Sequence, residues 1–324
     1  MCKIWIAAAS PDLHTCRMTP QMTLSPKAWA LLLLLASIWG ASFLSNRIAL
    51  EEVGVMTTVA VRVLGASVAL WLWIWARGIP TAIRPRHLVV FLVMGCLNNA
   101  IPFSLIVWGQ QHIESGLAAI LNASTAIFTV LLAAIVFADE KLTLRKAAGV
   151  ALGFAGTVTA IGYGHLSALS ATSLGQLAIL GSSTSYAVAA IFARRAFQGL
   201  RAEVSAAGML TGASLVMVPA AIWSEGLPQT LPAPITLAAL AYLALMASAA
   251  AYILYYRVLA LAGAGNLSLV TLMVAVIAIV LGALWYGEAL PLRAYAGFLL
   301  LSLGLAVIDG RLPRHIRARI RATG

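Results

Sequence analysis

Ala138-Asp139-Glu140-Lys141-Leu142-Thr143-Leu144-Arg145-Lys146-Ala147-Ala148-Gly149 joins two long apolar segments, and the chain returns to it at Tyr286-Gly287-Glu288-Ala289-Leu290-Pro291-Leu292-Arg293-Ala294-Tyr295-Ala296-Gly297. An ungapped offset of 148 pairs Glu140 with Glu288, Leu142 with Leu290, Leu144 with Leu292, Arg145 with Arg293, Ala148 with Ala296, Gly149 with Gly297, Leu152 with Leu300 and Gly156 with Gly304. An apolar composition raises the rate of accidental identities, but it does not supply a repeated Glu-x-Leu-x-Leu-Arg. The chain carries a duplicated unit. At an offset of 147, Arg47 pairs with Arg194, Ala49 with Ala196, and Gly65-Ala66-Ser67 with Gly212-Ala213-Ser214, so the duplication reaches back over the first part of each copy.

Outward from the junctions the chain is apolar. Hydrophobic residues make up 62% of its 324 positions and charged ones 10%, and the mean hydropathy is +0.96. That is more apolar surface than one soluble core of this size can hide, so the class is an all-α membrane protein. The net charge of +11 does not point to nucleic acid, because the Lys and Arg residues flank apolar runs, where they act as topology signals. Cys2, Cys16 and Cys96 form no C-x-x-C pair, so neither a disulfide framework nor a metal site is expected. No cofactor is expected either.

Ten apolar segments are long enough for a hydrocarbon core of about 30 Å at about 1.5 Å per residue: 28–48, 56–76, 88–108, 116–137, 146–163, 174–194, 204–223, 236–256, 266–286 and 292–309. The expected organisation is a disordered tail over 1–27, a first repeat over 28–163, a second over 174–309, and a basic cytoplasmic tail over 310–324. Met18 and Met22 lie close enough to the first segment to serve as alternative starts. With the N-terminus inside, 18 of the 21 Lys and Arg residues fall on the cytoplasmic side, which predicts both termini inside. Five segments per repeat is an odd number, so the two copies lie in the membrane with opposite orientation. That is the architecture of secondary transporters, with the substrate held between the halves and access alternating by rocking.

The chain resembles ten-helix members of the drug/metabolite transporter superfamily with two EamA-type repeats. The resemblance rests on Trp39-Gly40-Ala41-Ser42-Phe43 in the first segment, Arg62 in the second, Tyr255-Tyr256-Arg257 closing the eighth, and the two Glu-x-Leu-x-Leu-Arg-x-x-x-Gly junctions. It covers residues 28 to 309 and implies a carrier of small metabolites, similar to the aromatic and neutral amino-acid exporters of the YddG type. Multidrug carriage on the same fold is the alternative, and a non-transporting membrane scaffold or receptor is the competing class. One departure is that 122–137 and 271–285 hold no proline, where family members often carry one. A proline kink in the fourth and ninth segments is therefore not expected.

Polar residues inside spans are costly in lipid and turn toward the bundle interior, so their faces mark the candidate pathway. Trp39, Ser42, Phe43 and Asn46 share one face of the first segment; Ser182, Ser185 and Tyr186 lie in its repeat partner, with Tyr186 equivalent to Trp39. The third segment offers Asn98, Asn99 and Pro102, with Ser104 and Trp108 matched by Tyr252 and Tyr256 of the eighth. The fourth adds Asn122, Thr125 and Thr129, against an apolar stripe of Val270, Met273 and Ile277 in the ninth. A cavity polar on one side and apolar on the other suits an amphipathic metabolite such as an amino acid. Close packing of small residues is the competing account of the serines, and interhelical hydrogen bonding of the asparagines.

Arg62 is expected to snorkel to the outer interface or to pair structurally. Glu140 and Glu288 are expected to cap the helices that follow them, and Gly149 and Gly297 belong to the same structural junctions. No span holds a midplane Asp, Glu, His or Lys, which disfavours a central proton-carrying carboxylate. His87, His112 and His165 fall in connections, so an intramembrane enzyme is not expected. The expected setting is a bacterial-type inner (plasma) membrane, with lipid and a small-molecule substrate as partners. Ten helices can enclose a cavity alone, as a monomer or a weak homodimer.

Overall fold

A computed structural model describes residues 25–137, 140–162, 170–197, 199–267 and 269–309. The two tails beyond them, Asp139 and His165 lie outside the described residues. Among the described residues ten helices follow one another: α1 Pro26–Ala49, α2 Val55–Ala76, α3 Pro85–Gly109 and α4 Ser115–Val136, α5 Leu144–Ile161, α6 Ala171–Ala196, α7 Ala202–Glu225, α8 Pro234–Gly263, α9 Leu269–Tyr286 and α10 Leu292–Asp309. Nine of them are long and apolar enough to cross a membrane. The other is α5, whose first turn holds Arg145 and Lys146.

Local chemistry sets the helix ends. Ser25 accepts a hydrogen bond from Ala28 N–H and Pro26 opens α1, so the first helix starts two residues earlier than the apolar run. Thr143 caps α5 through Lys146 N–H. Glu140 therefore does not cap that helix, contrary to the expectation from its position. Gly263, at φ 74°, separates α8 from α9; a residue with a Cβ is strained there.

The helix contacts follow the duplication. Exchanging α1 with α6, α2 with α7, α3 with α8, α4 with α9 and α5 with α10 converts the α1–α9 contact into α6–α4, α1–α8 into α6–α3, and α2–α8 into α7–α3, all of which are present. The pairs α2–α7, α4–α9 and α5–α10 map onto themselves. The α5–α10 pair shows why the repeated glycines matter. A Cβ on Gly156 would sit 2.5 Å from Leu301 N, one on Gly297 2.5 Å from Ala160 N, and one on Gly304 2.6 Å from the carbonyl oxygen of Gly149. The backbones approach as closely as glycine allows. Outward-facing positions are apolar, among them Leu72, Trp75, Leu215, Trp223, Leu284 and Leu299, as a surface bathed in lipid requires.

The fourth helix breaks without a proline. It runs as Ser115–Asn122 and Thr125–Val136, and at the break Ser124 Oγ donates to the carbonyl of Leu121 at 2.6 Å and Thr125 Oγ1 to that of Asn122 at 2.7 Å. Two consecutive hydroxyls bonding three residues back tighten the backbone there, which is the effect by which such side chains bend helices.

Candidate functional site

The site forms where two helices loosen. In α3 the turn Cys96–Ala100 is π-helical, and Ile101 N–H reaches back five residues to the carbonyl of Cys96. The next carbonyl, that of Leu97, would need an N–H on residue 102, which is Pro102 and has none. Ser185 of α6 supplies the missing donor, its Oγ lying 2.7 Å from that carbonyl oxygen. In α8 the π-helical stretch is Tyr242–Ala250, and Trp39 Nε1–H of α1 donates to the carbonyl of Ala247 at 3.2 Å. On both sides the first helix of one repeat binds a loosened carbonyl in the third helix of the other. Wide turns of this kind concentrate at functional sites.

Between them lies a polar cluster. Asn98 Nδ2 donates to Tyr252 Oη at 3.0 Å, and Tyr252 in turn donates to Asn99 Oδ1 at 2.8 Å. Asn99 is fully buried, yet its Nδ2 finds no hydrogen-bond partner. An amide left so inside a protein is worth about 1–3 kcal/mol to whatever satisfies it. Facing this cluster is an apolar wall: Trp39 and Tyr255 lie 5.9 Å apart, Tyr255 and Tyr256 meet edge to face at 5.5 Å, and Met273 and Tyr242 pack against the same buried set. Tyr186 packs against both of the large hydrophobic clusters, at the seam between them.

Of the two arrangements expected for Arg62, snorkelling and structural pairing, the structure shows the second. The residue stands seven residues into α2, about 10 Å along the axis, but its side chain does not reach for the interface and is only 5% exposed. Its Nε donates to Ser248 Oγ in the α8 π-helical stretch at 3.0 Å, and its guanidinium lies 3.8 Å from the centre of the Phe103 ring. Tyr186, Tyr252 and Tyr242 stand near it.

Other expected residues fall elsewhere. Asn46 is buried but engaged by Gln110, whose Oε1 accepts from Asn46 Nδ2 at 2.9 Å while its own Nε2 donates to the carbonyl of Phe43 at 2.8 Å. Gln110 follows an apolar run with no helical face to flag it, so sequence reasoning missed it. Ser42 Oγ turns back to the carbonyl of Trp39 at 2.6 Å. Asn122 meets Ser182 at 3.4 Å, beside the break in α4, and Thr125 and Thr129 bond their own helix backbone.

The junction glutamates act across the repeats. Glu288 accepts from Ser115 N–H at 3.1 Å and Gly116 N–H at 3.3 Å, and pairs with Arg47 at 3.4 Å. It caps α4 of the first repeat, not the α10 that follows it. Glu140 pairs with Lys146 at 3.2 Å and stands in the field of Arg194, the repeat equivalent of Arg47. At the Glu288 end, further carboxylates close the gap between halves: Glu225 accepts from Met56 and Thr57 N–H at 2.9 Å, Glu52 from Ala233 N–H at 2.7 Å, and Glu51 from the hydroxyl of Tyr286. At the opposite end the halves part around a cavity of about 450 Å³, bordered by Trp73, Arg77, Arg201, Ile253, Tyr256 and Arg257.

Residues 27–162 and 173–309 each match the model of the EamA-like transporter family. The chain is similar to a protein of Streptantibioticus cattleyicolor named "Probable terminal-alkyne amino-acid exporter", at 30% identity across 90% of this chain and 95% of that protein. It is also similar to the "Uncharacterized inner membrane transporter YedA" of Escherichia coli strain K12, at 27% identity across 65% of this chain and 67% of the other. A solved crystal structure, 18% identical, superposes with a TM-score of 0.64 over 88% of this chain and 98% of its own, and so shares the fold.

Proposed function

The chain belongs to the EamA-like transporter family, a multi-pass membrane transporter and not an enzyme, and from that premise we propose that it exports amino acids by alternating access between its two repeats. The observation that carries the site is the meeting of two π-helical turns around Asn98, Asn99 and Tyr252, with the Asn99 Nδ2 left without a partner. The unpartnered Asn99 Nδ2–H and the tyrosine hydroxyls on one side suit a carboxylate and the amide oxygens an ammonium, while Trp39, Tyr255 and Met273 on the other suit an apolar side chain. The name of the 30% identical relative supports the substrate class.

In this reading all ten helices cross the inner membrane, both termini are cytoplasmic, and the Glu288 end faces outward. The carboxylate contacts across the halves are then the closed outer gate, and the arginine-bordered cavity is the cytoplasmic mouth. Rocking the halves breaks one set and exposes the other. Ser182, Ser185, Tyr186 and Pro102 shape the chamber through the loosened backbone, Ser42, Asn122 and Thr125 line its approach, and Asn46 holds the α1–α4 corner. Purified protein in proteoliposomes tests the proposal by counterflow across a panel of neutral and aromatic amino acids. We expect saturable exchange of at least one, reduced about tenfold or more by Trp39→Ala and Asn98→Ala, the loss corresponding to a hydrogen bond of roughly 1.5 kcal/mol. Absence of flux for the whole panel, with folded protein confirmed, overturns it.

A further inference from the structure

The geometry points to Arg62 as the receptor for the substrate's carboxylate. Among the described residues, no carboxylate of this protein lies within ion-pair reach of the buried guanidinium, and its one hydrogen bond is the Nε contact to Ser248 at 3.0 Å. A cation held inside a membrane protein without an acid is costly, and such groups mark substrate pathways. Phe103 covers one face of the plane at 3.8 Å, which stabilises the charge and holds the fork in orientation. Nε is tied to Ser248, so the two terminal nitrogens are the free prongs, and parallel donation from two nitrogens is the arrangement that fits a carboxylate.

The surroundings narrow the ligand. Tyr252, which stands near Arg62, is the same residue that links Asn98 to Asn99, so a carboxylate on Arg62 turns its α-substituent toward amide oxygens able to accept from an ammonium. Phe103 follows Pro102 directly, and Ser248 lies in the π-helical stretch of α8. The binding group is thereby attached to both loosened helices, and seating a carboxylate neutralises a buried charge between them. This inference rests on the transporter reading and adds which functional group is recognised.

The test uses full-length protein in nanodiscs and a matched pair of ligands, phenylalanine and phenylalaninamide, which differ in the carboxylate. Ligand-dependent thermal stabilisation is read for the wild type, R62Q and R62K. The wild type is expected to bind phenylalanine more tightly than the amide by about tenfold or more, the equivalent of one charge-assisted hydrogen bond. R62Q should lose that preference, the two ligands then stabilising it alike. If R62Q does not fold, R62K decides: an ammonium keeps the charge but loses the two-pronged geometry, and the preference should fall while remaining above one. A wild type indifferent to the carboxylate, or a preference unchanged in either variant, overturns the assignment. Counterflow scores the two proposals apart, because amino-acid exchange with an unaltered R62Q preference defeats the role of Arg62 and leaves the carrier standing.

Discussion

Glu288 illustrates how much one carboxylate can organise. Its side chain is 5% exposed and satisfies two N–H groups at the start of α4 together with Arg47, so its charge replaces water for donors that have no helical partner. Glu140, in the equivalent place, is 18% exposed and pairs with Lys146. Replacing Glu288 with Gln keeps the shape and removes the charge, and should lower stability by about 2 kcal/mol; Glu140→Gln should change it by less than about 1 kcal/mol. Thermal melting of both variants in the same detergent checks this, and equal losses would show that the corner does not work as described. Both glutamates were legible from the sequence as junction residues. Which helix each one caps was not, because the acceptor lies more than 170 residues from its donors and local spacing carries no information about it.

At the scale of the helix, the same sequence features had different outcomes depending on their neighbours. Pro102 deprives one carbonyl of its donor, and Ser185 of α6 makes up the loss. The fourth helix breaks on hydroxyls, with no proline in it. Among the glycines, Gly156 and Gly297 matter because α5 and α10 touch through them, with less room than a methyl group needs. Gly156→Leu should therefore separate the two helices and destabilise the protein by more than about 3 kcal/mol, the upper range for overpacking. Gly181, where a Cβ would meet only the end of the Leu105 side chain at 3.3 Å, supplies the control, as Gly181→Ala, for a glycine outside such a backbone contact. Folded yield by size-exclusion chromatography separates these outcomes, since a Gly156→Leu protein eluting like the wild type would remove the packing argument.

For the whole molecule, the two ends differ although the repeats are alike. One end is closed by Arg47–Glu288 and by carboxylates of Glu51, Glu52 and Glu225 on the opposite half; the other opens into the arginine-bordered cavity. Symmetric repeats with one closed end and one open end fit the proposed alternating access, in which the other state would be reached by exchanging the roles of the two halves. In a background lacking the native cysteines, Ala260→Cys should react with a membrane-impermeant maleimide from the cytoplasmic side, and Val55→Cys from neither side. Adding Glu225→Ala should make residue 55 reactive from outside. Labelling of Ala260→Cys from outside would reverse the orientation.

The sequence alone determined the membrane class, the duplication and the faces on which polar residues gather, because these follow from composition and from periodicities of a few residues, which any helix must obey. It named Trp39, Tyr186, Asn98, Asn99 and Tyr252 for the same reason. Only the tertiary structure decided that Arg62 turns inward to Phe103 and Ser248, that Gln110 holds Asn46, and that Glu288 serves the other repeat. Those outcomes depend on which helix comes to lie beside which, and for Arg62 and Glu288 the decisive neighbours include residues of the opposite half of the chain.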